Sequence, residues 1–263
     1  MLQMLPSESV GPASTARPGG STTSSSTSPC WASSNWSGYA LSTTSPATLP
    51  CVPGSGQTYT AVTGTWTVPT VASGNTSSYS AAWAGIDGFT NSNLIQAGTE
   101  QDFTGGSAHY SAWWEILPAA ETVIPSVAVQ PGDSITVSIA KQASGRWTIT
   151  LTDNGSVSHP TQPEFTTTQS YSGPGTSAEW IMEAPQVGGR IATLANYGST
   201  SFDHGIANTA APVLTAGTDG EIVQGNGRKK QVVSIPSGPD IGSPAGDGFA
   251  VAYGSTAPPA PST

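Results

Sequence analysis

The chain has 263 residues, enough for one large β domain or two small ones, and only 9% of them are Asp, Glu, Lys or Arg, against roughly 25% in ordinary soluble domains. Sixteen acids against seven bases give a formal charge of -9 and a pI near 4.5, which argues against a nucleic-acid partner, since that needs a basic face. No apolar run reaches the roughly 18 residues that span a bilayer, so no membrane partner is expected either. A surface made mainly of Ser, Thr, Asn, Gln and Gly stays nearly uncharged in acid, and so few bases leave few ion pairs for acid to break. The composition suits acid tolerance. It suits an ordinary secreted β-protein equally well.

Residues 1–29 are a Ser/Thr/Pro/Gly tract, including Gly19-Gly20-Ser21-Thr22-Thr23-Ser24-Ser25-Ser26. Such a tract cannot build a core, and it is expected to be disordered, as a linker or pro-segment remnant. Met1 to Pro6 lacks the basic start and long apolar core of a signal peptide, so a secreted form is expected to have lost its leader already. Cys30 and Cys51 follow, enclosing 20 residues. In an oxidising compartment they can close that loop as a disulfide; two free thiols are the alternative.

From there to residue 254 the pattern is β, and it predicts one domain over 30–254. Tyr59 to Val68 alternates and ends at Pro69. Ser134 to Ile139 and Trp147 to Thr152 alternate around a turn at Ala143-Ser144-Gly145, and Asp153-Asn154-Gly155 marks another turn. Period-two alternation bounded by Gly, Asn and Asp is a hairpin signal. Further strands are predicted at 178–184, 191–197, 221–224, 231–235 and 248–253. No 3.6-residue period is sustained and no internal repeat is visible. The expected fold is all-β: a sandwich of two packed antiparallel sheets, of the jelly-roll or concanavalin-like kind. The basic cluster Arg228, Lys229 and Lys230 reads as a solvated hairpin tip, and residues 255–263 as a flexible tail. Monomer is the default state.

The usual catalytic constellations are missing. His109, His159 and His204 stand in no metal-ligand spacing, so no metal and no cofactor are expected. Neither cysteine sits with a histidine in a nucleophile or zinc pattern, and there is no GxSxG elbow or nucleotide-binding loop. What stands out is a grouping of Trp, Gln and acids in four segments: Trp83 to Gly88, Leu94 to Gly98, Tyr110 to Pro118 and Ser177 to Pro185. Half of the eight tryptophans lie in them. Residues two apart on a strand share a face, so Trp113 goes with Glu115, and Glu179 with Ile181 and Glu183. Carboxylates beside indoles in a groove are candidates for acid/base work.

These segments resemble the signature of the glutamic peptidases, the eqolisins, once classed as pepstatin-insensitive acid peptidases. Asn35-Trp36-Ser37-Gly38-Tyr39 resembles the family's N-terminal motif. Trp83 to Gly88 is similar to its Trp-x-Gly-Ile-Asp-Gly segment. Leu94-Ile95-Gln96-Ala97-Gly98 and Ala178-Glu179-Trp180-Ile181 resemble the segments that carry its catalytic glutamine and glutamate. Ala112-Trp113-Trp114-Glu115 resembles its Ala-Trp-x-Glu segment. The five occur in order and span roughly residues 33–253.

The resemblance implies a secreted endopeptidase of acidic surroundings that acts on polypeptides. Gln96 and Glu179 would be its catalytic pair. Trp83, Asp87, Trp113 and Glu115 would line or support the cleft, with Asp87 and Glu115 tuning the Glu179 proton by hydrogen bonding. Glu100 stands where the family often has an Asp. With at most one disulfide where familiar fungal members have several, the chain would belong to another lineage, such as a bacterial one. The chemistry agrees with acid operation. Near its reference pKa of roughly 4.3 a glutamate can both take and return a proton, a glutamine amide donates at any pH, and a histidine base would be fully protonated. The competing reading is a carbohydrate-active or lectin-like sandwich using Glu115 with Glu179, or Glu179 with Glu183, and aromatic platforms.

Overall fold

The computed structural model describes residues 2–3, 11–12, 28–160, 163–212 and 214–262. Most of the tract expected to be disordered, 1–29, lies outside the described residues. The strands in chain order are β1 Leu2–Gln3, β2 Gly11–Pro12, β3 Trp31–Ser33, β4 Trp36–Ser42, β5 Ala61–Thr67, β6 Ala81–Ile86, β7 Ile95–Thr104, β8 Ser107–Ile116, β9 Thr122–Val123 and β10 Ser134–Lys141. They continue as β11 Trp147–Asp153, β12 Glu164–Gln169, β13 Ser177–Glu183, β14 Gln186–Val187, β15 Arg190–Ile191, β16 Ser199–Ala207, β17 Asp219–Gln224, β18 Gln231–Pro239 and β19 Phe249–Tyr253. The one helical piece among the described residues is a 3-10 turn at Gly227–Lys229. It caps the β17–β18 hairpin, where Lys229 and Lys230 are exposed.

One hydrogen-bonded path runs β12-β11-β10-β5-β16-β19-β18-β17-β4-β13-β6-β7-β8-β9, and it folds back on itself as a sandwich. Two indoles cross between the layers. Trp180 Nε1 of β13 donates to Thr63 O of β5 at 2.8 Å, and Trp66 Nε1 of β5 donates to Thr99 Oγ1 of β7 at 3.0 Å. The alternation that predicted β10 and β11 does its work here. Ile135, Val137, Ile139, Trp147, Ile149 and Leu151 point into the main core, while the intervening Ser and Thr face outward. Each such burial contributes roughly 1.5–3 kcal/mol.

The inner layer, β4-β13-β6-β7-β8, is buried on both faces. One face meets the main core through Tyr39, Ala84, Ala97, Trp180 and Met182. The other carries a second cluster built on Trp36, Trp83, Trp113 and Ile181, closed over by Cys30, Trp31, Leu49, Val52, Phe89 and Leu94. Cys30 and Cys51 are disulfide-bonded. Cys30 N donates to both Asp219 O and Asp219 Oδ1, at 3.0 and 3.1 Å, which ties this cover to β17.

The strand predicted at 191–197 is not a strand beyond Ile191. Tyr79 N donates to Thr193 O, and Ala195 N to Tyr79 O, but Ala72 N reaches Asn196 O from an irregular segment. The alternation there has no regular partner strand to pair with. β16 was not predicted. Its register against β5 shifts between Asp203 and Ile206, where His204 has φ 51°, and this bulge breaks the alternating pattern.

Candidate active site

The β7–β8 hairpin sets the site's register. Its two loop residues, Gly105 and Gly106, have φ 61° and 86°, the conformation of a tight two-residue hairpin turn that only glycine adopts freely. Counting back from Thr104 opposite Ser107 puts Gln96 opposite Glu115. A one-residue change in this loop would turn Glu115 to the other face.

Continued across the sheet, the register makes a single row: Ala40, Glu179, Gly85, Gln96 and Glu115, on β4, β13, β6, β7 and β8. It lies on the face opposite the main core. The next row on that face holds Ile181, Trp83, Gly98 and Trp113, and the row after it Trp36, Glu183, Ala81, Glu100 and Ser111. Glu179 and Gln96 are thus two strands apart, about 10 Å between backbones, with no side chain between them because residue 85 is glycine. A Cβ there would lie 3.0 Å from the Trp83 ring and 3.1 Å from Gln96 Cβ.

The hydrogen bonds sort the buried polar groups. Gln96 Nε2 donates to Glu115 Oε2 at 2.8 Å. Glu183 accepts from Trp83 Nε1 at 2.8 Å and from Asn35 Nδ2 at 3.3 Å, so it holds the tryptophan in place. Both carboxylate oxygens of Glu179, Oε1 of Gln96 and Nε1 of Trp113 have no hydrogen-bond partner among the described residues. Glu179 and Gln96 are 0% exposed. Burial holds the Glu179 carboxyl well above the ordinary range. The charge of Asp87 adds to that shift; the Ser177 hydroxyl, two residues back on the same face, opposes it by its proximity but forms no hydrogen bond of proper geometry with the carboxylate.

Asp87 differs from the sequence expectation of a hydrogen bond that tunes Glu179. It sits at the end of β6 with φ 70°. It accepts from Asn91 Nδ2, Tyr171 OH, Gly175 N, Thr176 N and Thr176 Oγ1 at 2.7–3.1 Å. It anchors the 171–176 loop to the end of β6, immediately before β13, and reaches Glu179 only through its charge. Glu115 likewise bonds Gln96 rather than Glu179. The expected open groove is also not what the chain forms: Trp83, Asp87, Trp113 and Glu115 are all 0% exposed, the two tryptophans within the second apolar cluster.

Glu100 belongs to a carboxyl cluster along the same face. Its Oε2 accepts from Ser111 Oγ at 3.1 Å. Burial raises the Glu100 carboxyl, against the neighbouring carboxyl of Glu121. Glu121 is pushed up to about 9 by burial and then by Glu100. Asp102 is pushed up to about 8 by burial and by Glu100, while Ser80 N–H opposes the shift. In acid these three are neutral and share protons instead of repelling. Sequence reading missed Asp102, Glu121 and Gly85. Asp102 was within reach, two residues beyond Glu100 on the same face. Gly85 stood inside a quoted motif without a role. Glu121 follows Ala119-Ala120 outside any motif and carried no signal.

The site is thus an acid and an amide side chain on one row of an all-β sandwich, with a cluster of carboxyls whose proton affinity is raised by burial beside them. The sequence profile of the Peptidase A4 family matches residues 34–237; the chain belongs to that family, the glutamic-type acid peptidases or eqolisins, and is a peptide-bond hydrolase. Aspergillopepsin-2 of Aspergillus niger is 29% identical over 205 residues, covering 69% of this chain and 67% of that protein. Scytalidopepsin B of Scytalidium lignicola is 31% identical over 129 residues, 49% of this chain and 48% of that protein. The same fold occurs in scytalido-glutamic peptidase solved with a transition-state analog inhibitor. The TM-score is 0.64, at 22% identity over 84% of this chain and 98% of that one. It recurs in an eqolisin, SCP-B, in complex with the tripeptide Ala-Ile-His, with TM-score 0.56, 22% identity and the same coverage.

Proposed function

We propose that this chain is an acid endopeptidase in which Glu179 and Gln96 act together on a water molecule, with no covalent intermediate. The observation that carries the reading is the row itself. A buried glutamate with both oxygens uncommitted faces, across a glycine, an amide whose nitrogen is held by Glu115. Amide hydrolysis needs an activated water, a stabilised oxyanion and a protonated leaving amine. Glu179 takes the proton from water and later returns it to the amine. Gln96 Oε1 helps hold the water, and the second N–H of Nε2 donates to the oxyanion. Glu115 acts through Gln96, as a positioning residue.

A carboxyl buried this deeply is neutral in the closed form. A polypeptide reaches it only when the cover formed by Trp31, Leu49, Val52 and Phe89 opens. Opening readmits water and brings the carboxyl back toward its ordinary range, where it exchanges a proton readily near pH 4. The charge-poor composition and the Cys30–Cys51 bond support secretion into an acidic medium, and monomer is the working state. The sugar-binding reading loses support, since Glu183 is committed to Trp83. The test is cleavage of denatured casein and of common polysaccharides at acid pH, by wild type and Gln96→Ala, with pepstatin present. Pepstatin-insensitive proteolysis that Gln96→Ala loses is expected. Polysaccharide cleavage, or pepstatin sensitivity, would overturn the reading.

A further inference from the structure

A second group of chemically active side chains lies in the other layer, at the far end of the β10–β11 hairpin from its turn. Asp133 immediately precedes β10. Asp153 ends β11, opposite Ile135. His159 lies in the loop that leads toward β12. Their donor atoms all fall within 4.8 Å of one another. Both aspartate side chains are 0% exposed, and the imidazole is 17% exposed.

Local hydrogen bonds hold this geometry but leave it incomplete. Asp133 Oδ2 accepts from Gln130 N at 2.8 Å, and lies 2.9 Å from His159 Nδ1. Asp153 Oδ1 accepts from Gly155 N at 2.7 Å. His159 N donates to Ser156 O and Ser156 Oγ, which presents the ring toward the acids. Yet Asp133 Oδ1 and Asp153 Oδ2 are buried with no hydrogen-bond partner among the described residues. Asp153 Oδ2 is 3.8 Å from His159 Nδ1.

A protonated imidazole does not complete the arrangement. Nδ1 carries one N–H, directed at Asp133, and 3.8 Å is too long for a hydrogen bond to Asp153. Two buried carboxylates facing one such donor leave oxygens unsatisfied at a cost. A cation has no such directional limit. Around an ion with bonds of about 2.1 Å, ligand atoms stand about 3.0–3.4 Å apart, and the observed 2.9 and 3.8 Å bracket that range. Calcium takes 6–8 oxygens as a rule, whereas two carboxylates and an imidazole are a donor set for a first-row transition metal.

We propose that Asp133, Asp153 and His159 bind a divalent transition-metal cation, represented by Zn2+, which fastens the 154–159 loop to the β10–β11 hairpin. Sequence analysis expected no metal, because the three ligands come from three segments with no motif spacing. The site lies on the layer away from Gln96 and Glu179, so it is structural and independent of the peptidase reading.

The test uses full-length protein freed of metal with a chelator, at neutral pH where the ligands can shed protons. Zn2+ is titrated by calorimetry, and the thermal midpoint is measured with Zn2+ and with Ca2+. Wild type is expected to bind one Zn2+ per chain. Its midpoint should rise by about 5–10 °C at about 100 times Kd, with no rise from Ca2+. His159→Gln and Asp153→Asn should both lose the binding and the rise. His204→Gln, at the exposed Asp203–His204–Asp247 group, should keep them. Absence of Zn2+ binding by wild type, or binding that survives His159→Gln and Asp153→Asn, would overturn the proposal. So would a rise lost in His204→Gln alone.

Discussion

The carboxyl cluster beside the candidate site makes stability depend on pH in an unusual direction, and Asp102→Asn isolates one member. Asp102 is 7% exposed, its Oδ1 accepts from Ser80 N at 3.2 Å, and its carboxyl is pushed up to about 8 by burial and the charge of Glu100. Unfolded, the same carboxyl titrates near 3.9. The folded state therefore holds the proton more tightly. The stabilisation is fully present below about pH 4, falls as pH rises through the interval, and is gone above about pH 8. A difference of about four pH units amounts to roughly 5 kcal/mol, as an upper figure, against a total of about 5–15 kcal/mol for a typical domain. Asparagine keeps the acceptor for Ser80 and never ionises. Urea unfolding at a series of pH values from about 3 to 8 measures the effect. Wild type should lose stability steeply toward neutral pH, and Asp102→Asn should lose up to about 5 kcal/mol less. Parallel curves for the two proteins, or a wild type that grows more stable toward neutral pH, would refute the reasoning.

Other outcomes follow from the same geometry. Gly85→Ala places a methyl 3.0–3.1 Å from the Trp83 ring and Gln96, and should cut kcat/KM at least about tenfold in steady-state assays while leaving the protein folded. Glu115→Ala frees Gln96 Nε2 and should lower kcat about 10–100-fold with little change in KM, whereas Glu115→Gln should recover part of it. Asp87→Ala strands the Gly175 and Thr176 amides, and should cost about 3 kcal/mol or more in urea unfolding. Replacing both cysteines by serine opens a loop of about 20 residues and should cost about 3 kcal/mol in the same measurement.

How far the sequence could be read depended on whether neighbours in the chain were also neighbours in space. Ile135, Val137 and Ile139 announce a half-buried strand by themselves, and so do Trp147, Ile149 and Leu151. β16 does not, because the backbone irregularity at His204 shifts its register, and 191–197 fails because its partner segment is irregular. In the site, period two placed Glu179 and Glu183 on one face. Nothing local could say that Glu183 would be taken up by Trp83, 100 residues away, leaving Glu179 uncommitted. The same holds for Asp87, whose partners arrive from 171–176, and for Glu121, whose neighbour Glu100 is brought to it by register. The burial of the whole row was invisible for a related reason. The cover is assembled from residues near Cys30 and Cys51 and from Phe89, and no pattern in those segments indicates the face they meet.

The most direct test of the account is the activity of Glu179→Gln on a denatured protein near pH 4, measured beside its unfolding curve. Glutamine fills the same volume and is never charged. The variant should therefore fold as well as wild type, or better at neutral pH, where the buried carboxyl must otherwise hold its proton. Its activity should fall by at least about a thousandfold. A correctly folded Glu179→Gln protein that cleaves at a rate close to wild type would contradict the assignment.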